Sequence, residues 1–287
     1  MTWWETIVLG IVQGLTEFLP ISSSAHIRIF GELLPSRTDP GAAFTAISQL
    51  GTEAAVVVYF RRDIARIVSH WFRALPVGPW KRQLPASDPD ARMGWFVIVG
   101  SIPIGVLGLL LESWIDTTFR HLFITAAMLA LFGLLLLVAD RTAKQTKGLD
   151  HLSWWDAILL GLAQSLALVP GVSRSGATIT MGLFLGLTRE AAARMSFLLA
   201  IPAVIASGMY KLFSDVLLSD APPAPGEPSL FATFLATVVA FVVGYWVIVW
   251  FLKLVSTRTY LPFVVYRIVL AVAIVALVLG GVISATA

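Results

Sequence analysis

Two short segments carry reactive side chains within otherwise apolar sequence. In the first, Gln13 and Glu17 are four residues apart, so a helix would present both on one face. Pro20 then interrupts the segment, and three consecutive serines at 22–24 and His26 follow it. One bend therefore has a carboxylate, three hydroxyls and an imidazole beside it. A serine becomes nucleophilic when a base is adjacent, and both Glu17 and His26 are candidates for that base.

The second segment supplies groups that bind an anion. Pro170 and Gly171 break the apolar run, and Ser173 and Arg174 follow. The planar guanidinium of Arg174 is suited to phosphate. Gly171 and Gly176 would let backbone N–H groups approach a ligand, and a helix beginning near Ser173 would direct its positive end at an anion. This pattern predicts an anion-binding turn, with the first segment as its reactive partner.

The two segments are copies of one another. Residues 2–24 and 153–175 align without a gap, and 9 of 23 positions are identical, including both tryptophans, a glycine, a glutamine and two serines. The differences are chemical, because Glu17 aligns with Leu168 and Ser23 aligns with Arg174. A duplicated scaffold thus has an acid on one half and a cation on the other. We expect one site to form between the two repeats.

Structural interpretations compete with these assignments. Serines after a proline commonly cap helices, which would account for Ser22 and Ser24. Glu17 could serve only as a buried ion-pair partner of Arg174, and His26 could be merely hydrogen-bonded.

Two further charged residues fall within or near apolar stretches. Glu53 in the first predicted crossing could be either structural or a supporting group of the site. For Arg267, near the start of the last crossing, we expect a side chain that extends to the membrane surface.

Composition places the chain among polytopic membrane proteins. Hydrophobic residues make up 57% of the sequence and charged residues 13%, with a mean hydropathy of +0.85. A crossing needs roughly 20 apolar residues. Residues 2–30 and 153–188 are also apolar but broken in the middle, which predicts two re-entrant helical hairpins lining a cavity. Six stretches are long enough to cross: 42–60, 93–111, 121–139, 190–210, 230–252 and 261–283.

These elements predict an all-α fold of about ten helices in a single membrane domain, 1–287. Repeat one, 1–150, and repeat two, 151–287, each contain a hairpin and three crossings. Because three is odd, the second repeat must be inserted upside down. Fourteen of the twenty lysines and arginines fall on one side of this topology and four on the other. The richer side should be cytoplasmic, so both termini and the site would face outward. The net charge of +3 gives no reason to expect nucleic acid.

Both segments resemble the signature motifs of a known family. The motifs 13–26, QGLTEFLPISSSAH, and 170–176, PGVSRSG, are similar to those of bacterial undecaprenyl-diphosphate phosphatases of the bacitracin-resistance type. The resemblance covers the whole length. It implies a multi-pass enzyme of the bacterial cytoplasmic membrane that hydrolyses undecaprenyl diphosphate to undecaprenyl phosphate and inorganic phosphate. This reaction recycles the lipid carrier of envelope polymers. The resemblance also implies an outward-facing site and a divalent cation, Mg²⁺ or Ca²⁺.

Two positions differ from the commonest form of the family motifs. Gln13 stands where glutamate is frequent, so any charged metal ligand or base in this motif has to be Glu17. Ala25 stands where glycine is frequent, which should only stiffen the turn.

Together these observations give an expected site. The expected catalytic residues are Glu17, Ser23, His26 and Arg174, with Glu17 also the expected metal ligand. The expected substrate-binding residues are Gln13, Ser22, Ser24, Ser173, Ser175, Gly176 and Thr178. The nucleophile is left open among Ser23, His26 and water.

The expected partners are undecaprenyl diphosphate and membrane lipid, and a homodimer stays one alternative for the assembly. A transporter or flippase is the rival function, because carriers also use inverted repeats with broken helices. A lipid phosphatase of the acid phosphatase type is excluded, since its chemistry needs a histidine after the Ser-Arg pair and none follows His151.

Overall fold

The computed structural model describes residues 1–78, 83–117, 121–217 and 228–286. Within these ranges the fold is all helical, as predicted, and contains no β-strand. The α-helices are α1 (Trp3–Thr16), α2 (Ser23–Leu33), α3 (Gly41–Tyr59), α4 (Arg61–Ala74), α5 (Pro89–Thr117), α6 (Leu122–Thr142), α7 (Trp154–Ser165), α8 (Arg174–Phe184), α9 (Arg189–Lys211), α10 (Leu230–Val255) and α11 (Leu261–Leu279).

Among the described residues, six helices are long and apolar enough to cross a membrane, namely α3, α5, α6, α9, α10 and α11. They coincide with the six stretches predicted to cross, whose helical length and apolar composition are thereby confirmed. Helix α4 was not predicted from the sequence. Its charged residues surround a narrow apolar face. Its Ile67 is buried, whereas Val68 and Phe72 on the same helix are exposed.

Each predicted hairpin consists of two short helices, α1–α2 and α7–α8, joined by an irregular turn. Both hairpins begin with a reciprocal cap. The Glu5 carboxylate accepts a hydrogen bond from the Thr2 backbone N–H at 2.7 Å, and Asp156 accepts one from Ser153 N–H at 2.6 Å. Such caps satisfy N–H groups that a helix start leaves unpaired. The duplicated sequence has thus kept the same helix cap at the start of both hairpins.

The two repeats pack against each other through equivalent helices. Helix α1 packs on α10, and the equivalent α7 packs on α5, so the first helix of each hairpin lies against the second crossing of the other repeat. The shared glycines permit this approach. A Cβ at Gly10 would lie 2.6 Å from Ala236 O, and one at Gly161 would lie 2.5 Å from Gly100 O. Close helix crossings at small residues are typical of membrane proteins.

Like helices of the two repeats also pair, α3 with α9 and α6 with α11. Pairing of equivalent helices is what two related repeats around one shared core would produce. The boundary at residue 150 and the inverted insertion of the second half stay predictions.

Candidate active site

The two bends have the same unusual backbone. Ser22 and Ser173, which are equivalent in the duplication, have φ angles of 73° and 70°. Each serine immediately precedes a helix, α2 or α8. Left-handed backbone costs a non-glycine residue about 1–3 kcal/mol and persists where surrounding contacts impose it, often at functional sites. Surrounding contacts therefore impose a strained backbone at both helix starts, as is common at functional sites.

The acid of one half meets the cation of the other. Arg174 Nη2 lies 2.6 Å from Glu17 Oε1, although 157 residues separate them. A second link joins the bends, because Ser175 Oγ donates to Leu19 O at 2.9 Å. The predicted contact between the two repeats is thereby confirmed.

Glu17 is the centre of a hydrogen-bond cluster. Its side chain is only 3% exposed, and its Oε2 accepts hydrogen bonds from three side chains. Ser23 Oγ donates at 2.6 Å and Gln13 Nε2 at 2.8 Å, while Gln49 Nε2 is at 3.4 Å. Of the two candidate bases, Glu17 is therefore the one that contacts the Ser23 hydroxyl. Gln49 was not predicted as a site residue, and its polar side chain within the first crossing is the one signal that could have identified it.

His26 points to other partners. Its Nδ1 lies 2.7 Å from Ser22 O, and its Nε2 lies 2.7 Å from Tyr266 Oη. A carbonyl only accepts, so Nδ1 carries the hydrogen, and Nε2 of the neutral ring accepts from the tyrosine. Both nitrogens are engaged away from Ser23. A proton-transfer role for His26 stays a prediction, and this geometry favours a role in holding the strained Ser22.

The expected substrate-binding residues divide into two groups. Ser22, Ser24 and Ser173 line the cleft with Glu17, Ser23 and Arg174. The others lie behind it. Ser173 Oγ caps α8 by accepting from Gly176 N–H at 3.1 Å, and the buried Thr178 donates to Ser196 Oγ at 2.6 Å. The side chains of Ser175 and Thr178 therefore support the cleft wall, whereas Gln13 contacts the carboxylate of Glu17.

The cleft has a polar end and a mostly apolar remainder. Its volume is about 720 Å³. Serines, Glu17 and Arg174 form the polar end, and α5 and α9 supply most of the apolar wall. A Cβ at Gly105 would meet no atom of the described chain within 4 Å, so this glycine widens the cleft. The apolar wall residues include Ile98, Ile102, Leu109, Leu168, Pro202 and Val204.

Arg267 corrects one prediction. We expected its side chain to extend to the membrane surface, but it is 0% exposed. Its guanidinium donates to Pro20 O at 3.0 Å in the first bend and to Gly171 O at 2.9 Å in the second. Breaks in a helix at membrane depth leave carbonyls that need donors, and a buried guanidinium supplies five N–H groups. Its other acceptors are the carbonyls of Val172, Met128 and Leu129.

Glu53 also lies at the site. Its carboxylate is on α3, with Oε2 3.9 Å from Arg174 Nη2. The guanidinium is thus within reach of two carboxylates, Glu17 and Glu53.

Comparison with known proteins agrees with this geometry. Residues 6–273 match the family model described as bacitracin resistance protein BacA. A relative from Micrococcus luteus is 62% identical over 99% of this chain and 100% of its own length. One from Pseudarthrobacter chlorophenolicus is 60% identical with the same coverage, and one from Kineococcus radiotolerans is 59% identical over 98% of this chain and 95% of its own. All three carry the name undecaprenyl-diphosphatase. The chain belongs to the bacitracin resistance protein BacA family.

Proposed function

We propose that this cleft hydrolyses undecaprenyl diphosphate to undecaprenyl phosphate and inorganic phosphate. The observation that carries the proposal is the contact of Ser23, Glu17 and Arg174 at the polar end of an apolar cleft. A hydroxyl, a base and a guanidinium can supply the nucleophile, its activation and the charge stabilisation of a phosphoryl transfer. An apolar wall suits a lipid tail. The relatives with the name undecaprenyl-diphosphatase support the same substrate.

The cleft accommodates the reacting end of the lipid. The diphosphate fits between Arg174 and the starts of α2 and α8, where helix N-termini favour an anion. The isoprenoid chain then runs along the apolar wall of α5 and α9. A volume of about 720 Å³ is typical of a site for a drug-sized molecule, so most of the eleven isoprene units remain in surrounding lipid.

Substrate binding would free the base. In the structure Arg174 is bound to Glu17 Oε1, and a carboxylate held by several donors has little tendency to take a proton. A diphosphate offers Arg174 a second anion that can accept both arms of its guanidinium. As Arg174 turns to the diphosphate, Glu17 loses its strongest donor but keeps its contact with Ser23 Oγ at 2.6 Å, so it can accept the serine proton. Binding of the diphosphate therefore activates Ser23 as the nucleophile.

The chemical step follows from this geometry. Ser23 Oγ bonds to the terminal phosphorus while the bond to the bridging oxygen breaks, and undecaprenyl phosphate leaves with that electron pair. Glu17 takes the serine proton and passes it to the leaving bridging oxygen. It then takes a proton from the water that attacks the phosphoserine and returns that proton to Ser23 Oγ as inorganic phosphate leaves. In the alternative route Ser23 orients a water that attacks directly. Glu17 is the base in both routes.

The donor set fits the divalent cation that the family resemblance implies, Mg²⁺ or Ca²⁺. Gln13 Oε1 is buried and has no hydrogen-bond partner in the described part of the chain, and Glu17 adds a carboxylate beside it. Both are oxygen ligands of the kind these ions prefer. When bound, the cation would neutralise charge on the phosphoryl oxygens.

The same proposal places the protein in the bacterial cytoplasmic membrane with its cleft open to the outer side. The excess of lysine and arginine on one side of the predicted topology supports this orientation. In that position the enzyme would recycle the carrier of envelope polymers.

Phosphate release from undecaprenyl diphosphate by the purified protein in detergent tests the function. The wild type should turn over, and Glu17→Gln should not. A carrier that only moves the lipid would release no phosphate in micelles, so absence of release would favour the flippase alternative.

The apolar wall gives a prediction about chain length. Phenylalanine at Gly105 would fill the open space in the cleft and obstruct the isoprenoid path. We expect Gly105→Phe to lower kcat/KM for undecaprenyl diphosphate at least tenfold and to affect a short farnesyl diphosphate much less. Leu110→Phe is the control, because Leu110 is exposed on the same helix and does not line the cleft. Equal losses on both substrates would contradict this path.

His26 can be tested by comparing two substitutions. Asparagine can still donate to Ser22 O from near the position of Nδ1, whereas alanine cannot. If His26 positions Ser22, His26→Asn should retain most of kcat and His26→Ala should lose about tenfold or more, within the usual range for a misplaced group. A general base would be lost in both variants. Equal inactivation of the two, with loss of one ionisation from the pH profile, would therefore show proton transfer by His26.

A further inference from the structure

Glu53 is a buried carboxylate whose oxygens accept no hydrogen bond within the part of the chain that the structure describes. It is 1% exposed, and neither Oε1 nor Oε2 accepts a hydrogen bond from any residue in the described ranges. Arg174 Nη2, at 3.9 Å from Oε2, is the cation that the structure places beside it. A buried charge without a partner is strongly unfavourable, so buried carboxylates are normally paired or bind a metal. The polar atoms of Glu53 are thus available to a ligand of the site.

Substrate binding creates a charge problem at this position. In the structure one guanidinium serves two carboxylates, because Arg174 contacts Glu17 at 2.6 Å and approaches Glu53 at 3.9 Å. When Arg174 turns to a diphosphate, both carboxylates are left facing an anionic ligand inside an apolar protein. Like charges at such distances repel strongly in a medium of low dielectric constant. A divalent cation between the carboxylates and the diphosphate would remove this repulsion.

The atoms needed to bind such a cation are present. Glu17 and Glu53 provide carboxylate oxygens. Gln13 Oε1, which has no hydrogen-bond partner among the described residues, provides an amide oxygen. Gln49 is one turn before Glu53 on α3 and extends its Nε2 to Glu17 Oε2 at 3.4 Å, which ties α3 to the first bend. An all-oxygen set of this kind suits Mg²⁺ or Ca²⁺ rather than a softer metal.

We propose that Glu53 is the second carboxylate ligand of a divalent cation that binds when Arg174 engages the diphosphate. In this chain Gln13 contributes no charge to the motif, and Glu53 supplies the missing carboxylate from another helix. The proposal rests on the proposed function, because the diphosphate is what draws Arg174 away from Glu17.

Binding of Mn²⁺ to the full-length protein in detergent tests the proposal without turnover. Free Mn²⁺ is measured by electron paramagnetic resonance, with and without methylenediphosphonate, a diphosphate that cannot be hydrolysed. The wild type should bind Mn²⁺ more tightly with the diphosphonate. Glu53→Gln should weaken that binding at least tenfold, and adding Gln13→Glu to Glu53→Gln should restore most of it. Wild-type affinity in Glu53→Gln, or no binding by the wild type, would overturn the proposal.

Control variants separate this result from a general defect. Glu190→Gln removes a carboxylate that pairs with Arg194 at the exposed start of α9, and its Mn²⁺ binding should be unchanged. If Glu53→Gln is not recovered folded, Glu53→Asp replaces it, and unchanged affinity in that variant would equally overturn the proposal. Phosphate release by the wild type reports on the proposed function independently of these measurements.

Discussion

Replacement of Arg174 by alanine is expected to lower kcat/KM for undecaprenyl diphosphate at least a thousandfold. Loss of one neutral donor to a developing oxyanion costs about 10²–10³ in rate, and Arg174 contributes a full charge as well. The substitution also leaves Glu17 buried without its ion-pair partner. Phosphate release in detergent, at substrate concentrations that resolve kcat from KM, measures the effect.

Two comparisons make this prediction specific. Arg194→Ala removes an equal charge from α9 where the side chain pairs with Asp63, away from the cleft, and should stay close to the wild type. Arg174→Lys keeps the charge but loses the planar fork and should recover only part of the activity. An Arg174→Ala enzyme within tenfold of the wild type would show that the diphosphate is held elsewhere.

A double substitution tests whether Arg174 controls Glu17. If the guanidinium and the carboxylate act as one unit, Glu17→Gln should lower activity far less in the Arg174→Ala background than in the wild type. Fully additive losses would instead indicate that the two residues contribute independently.

Sequence reasoning succeeded where the chain carries strong local information. Runs of apolar residues have the length of a bilayer, and proline and glycine mark the two bends. The duplication then indicated that Glu17 and Arg174 belong together, although the sequence separates them by 157 residues. Each of these conclusions depends on length, backbone chemistry or repetition, and none requires knowing which face of a helix is buried.

The same reasoning failed where the answer depends on helix faces. In a membrane helix both the lipid face and the protein face are apolar, so periodicity does not tell them apart. The sequence therefore did not identify α5 and α9 as the cleft wall. It also gave no reason to pair His26 with Tyr266 on the last helix. Arg267 was misplaced because snorkelling explains most arginines near a helix end, whereas here the freed carbonyls of two bends compete for the guanidinium.

Replacement of Arg267 by methionine is expected to abolish most activity and to destabilise the protein by about 3 kcal/mol. The substitution keeps a long apolar side chain but leaves the carbonyls of Pro20 and Gly171 buried without their donor. Each unsatisfied buried group costs about 1–3 kcal/mol, partly offset because a buried charge is also removed. Thermal melting in detergent and phosphate release by the folded fraction measure the two effects.

Arg267→Lys tests whether the positive charge alone, without the planar guanidinium, is sufficient at this position. It keeps the positive charge, but three donors on one nitrogen cannot reach carbonyls of two bends and α6 together. We therefore expect Arg267→Lys to restore stability partly and kcat hardly at all, because a shift of about 1 Å between Ser23 and Glu17 already costs about 10²-fold. Arg141→Met, at the exposed end of α6, is the matched control. Full activity in Arg267→Lys would mean that the two bends keep their register without the shared guanidinium, and that the contact of Glu17 with Arg174 is enough to hold the halves together.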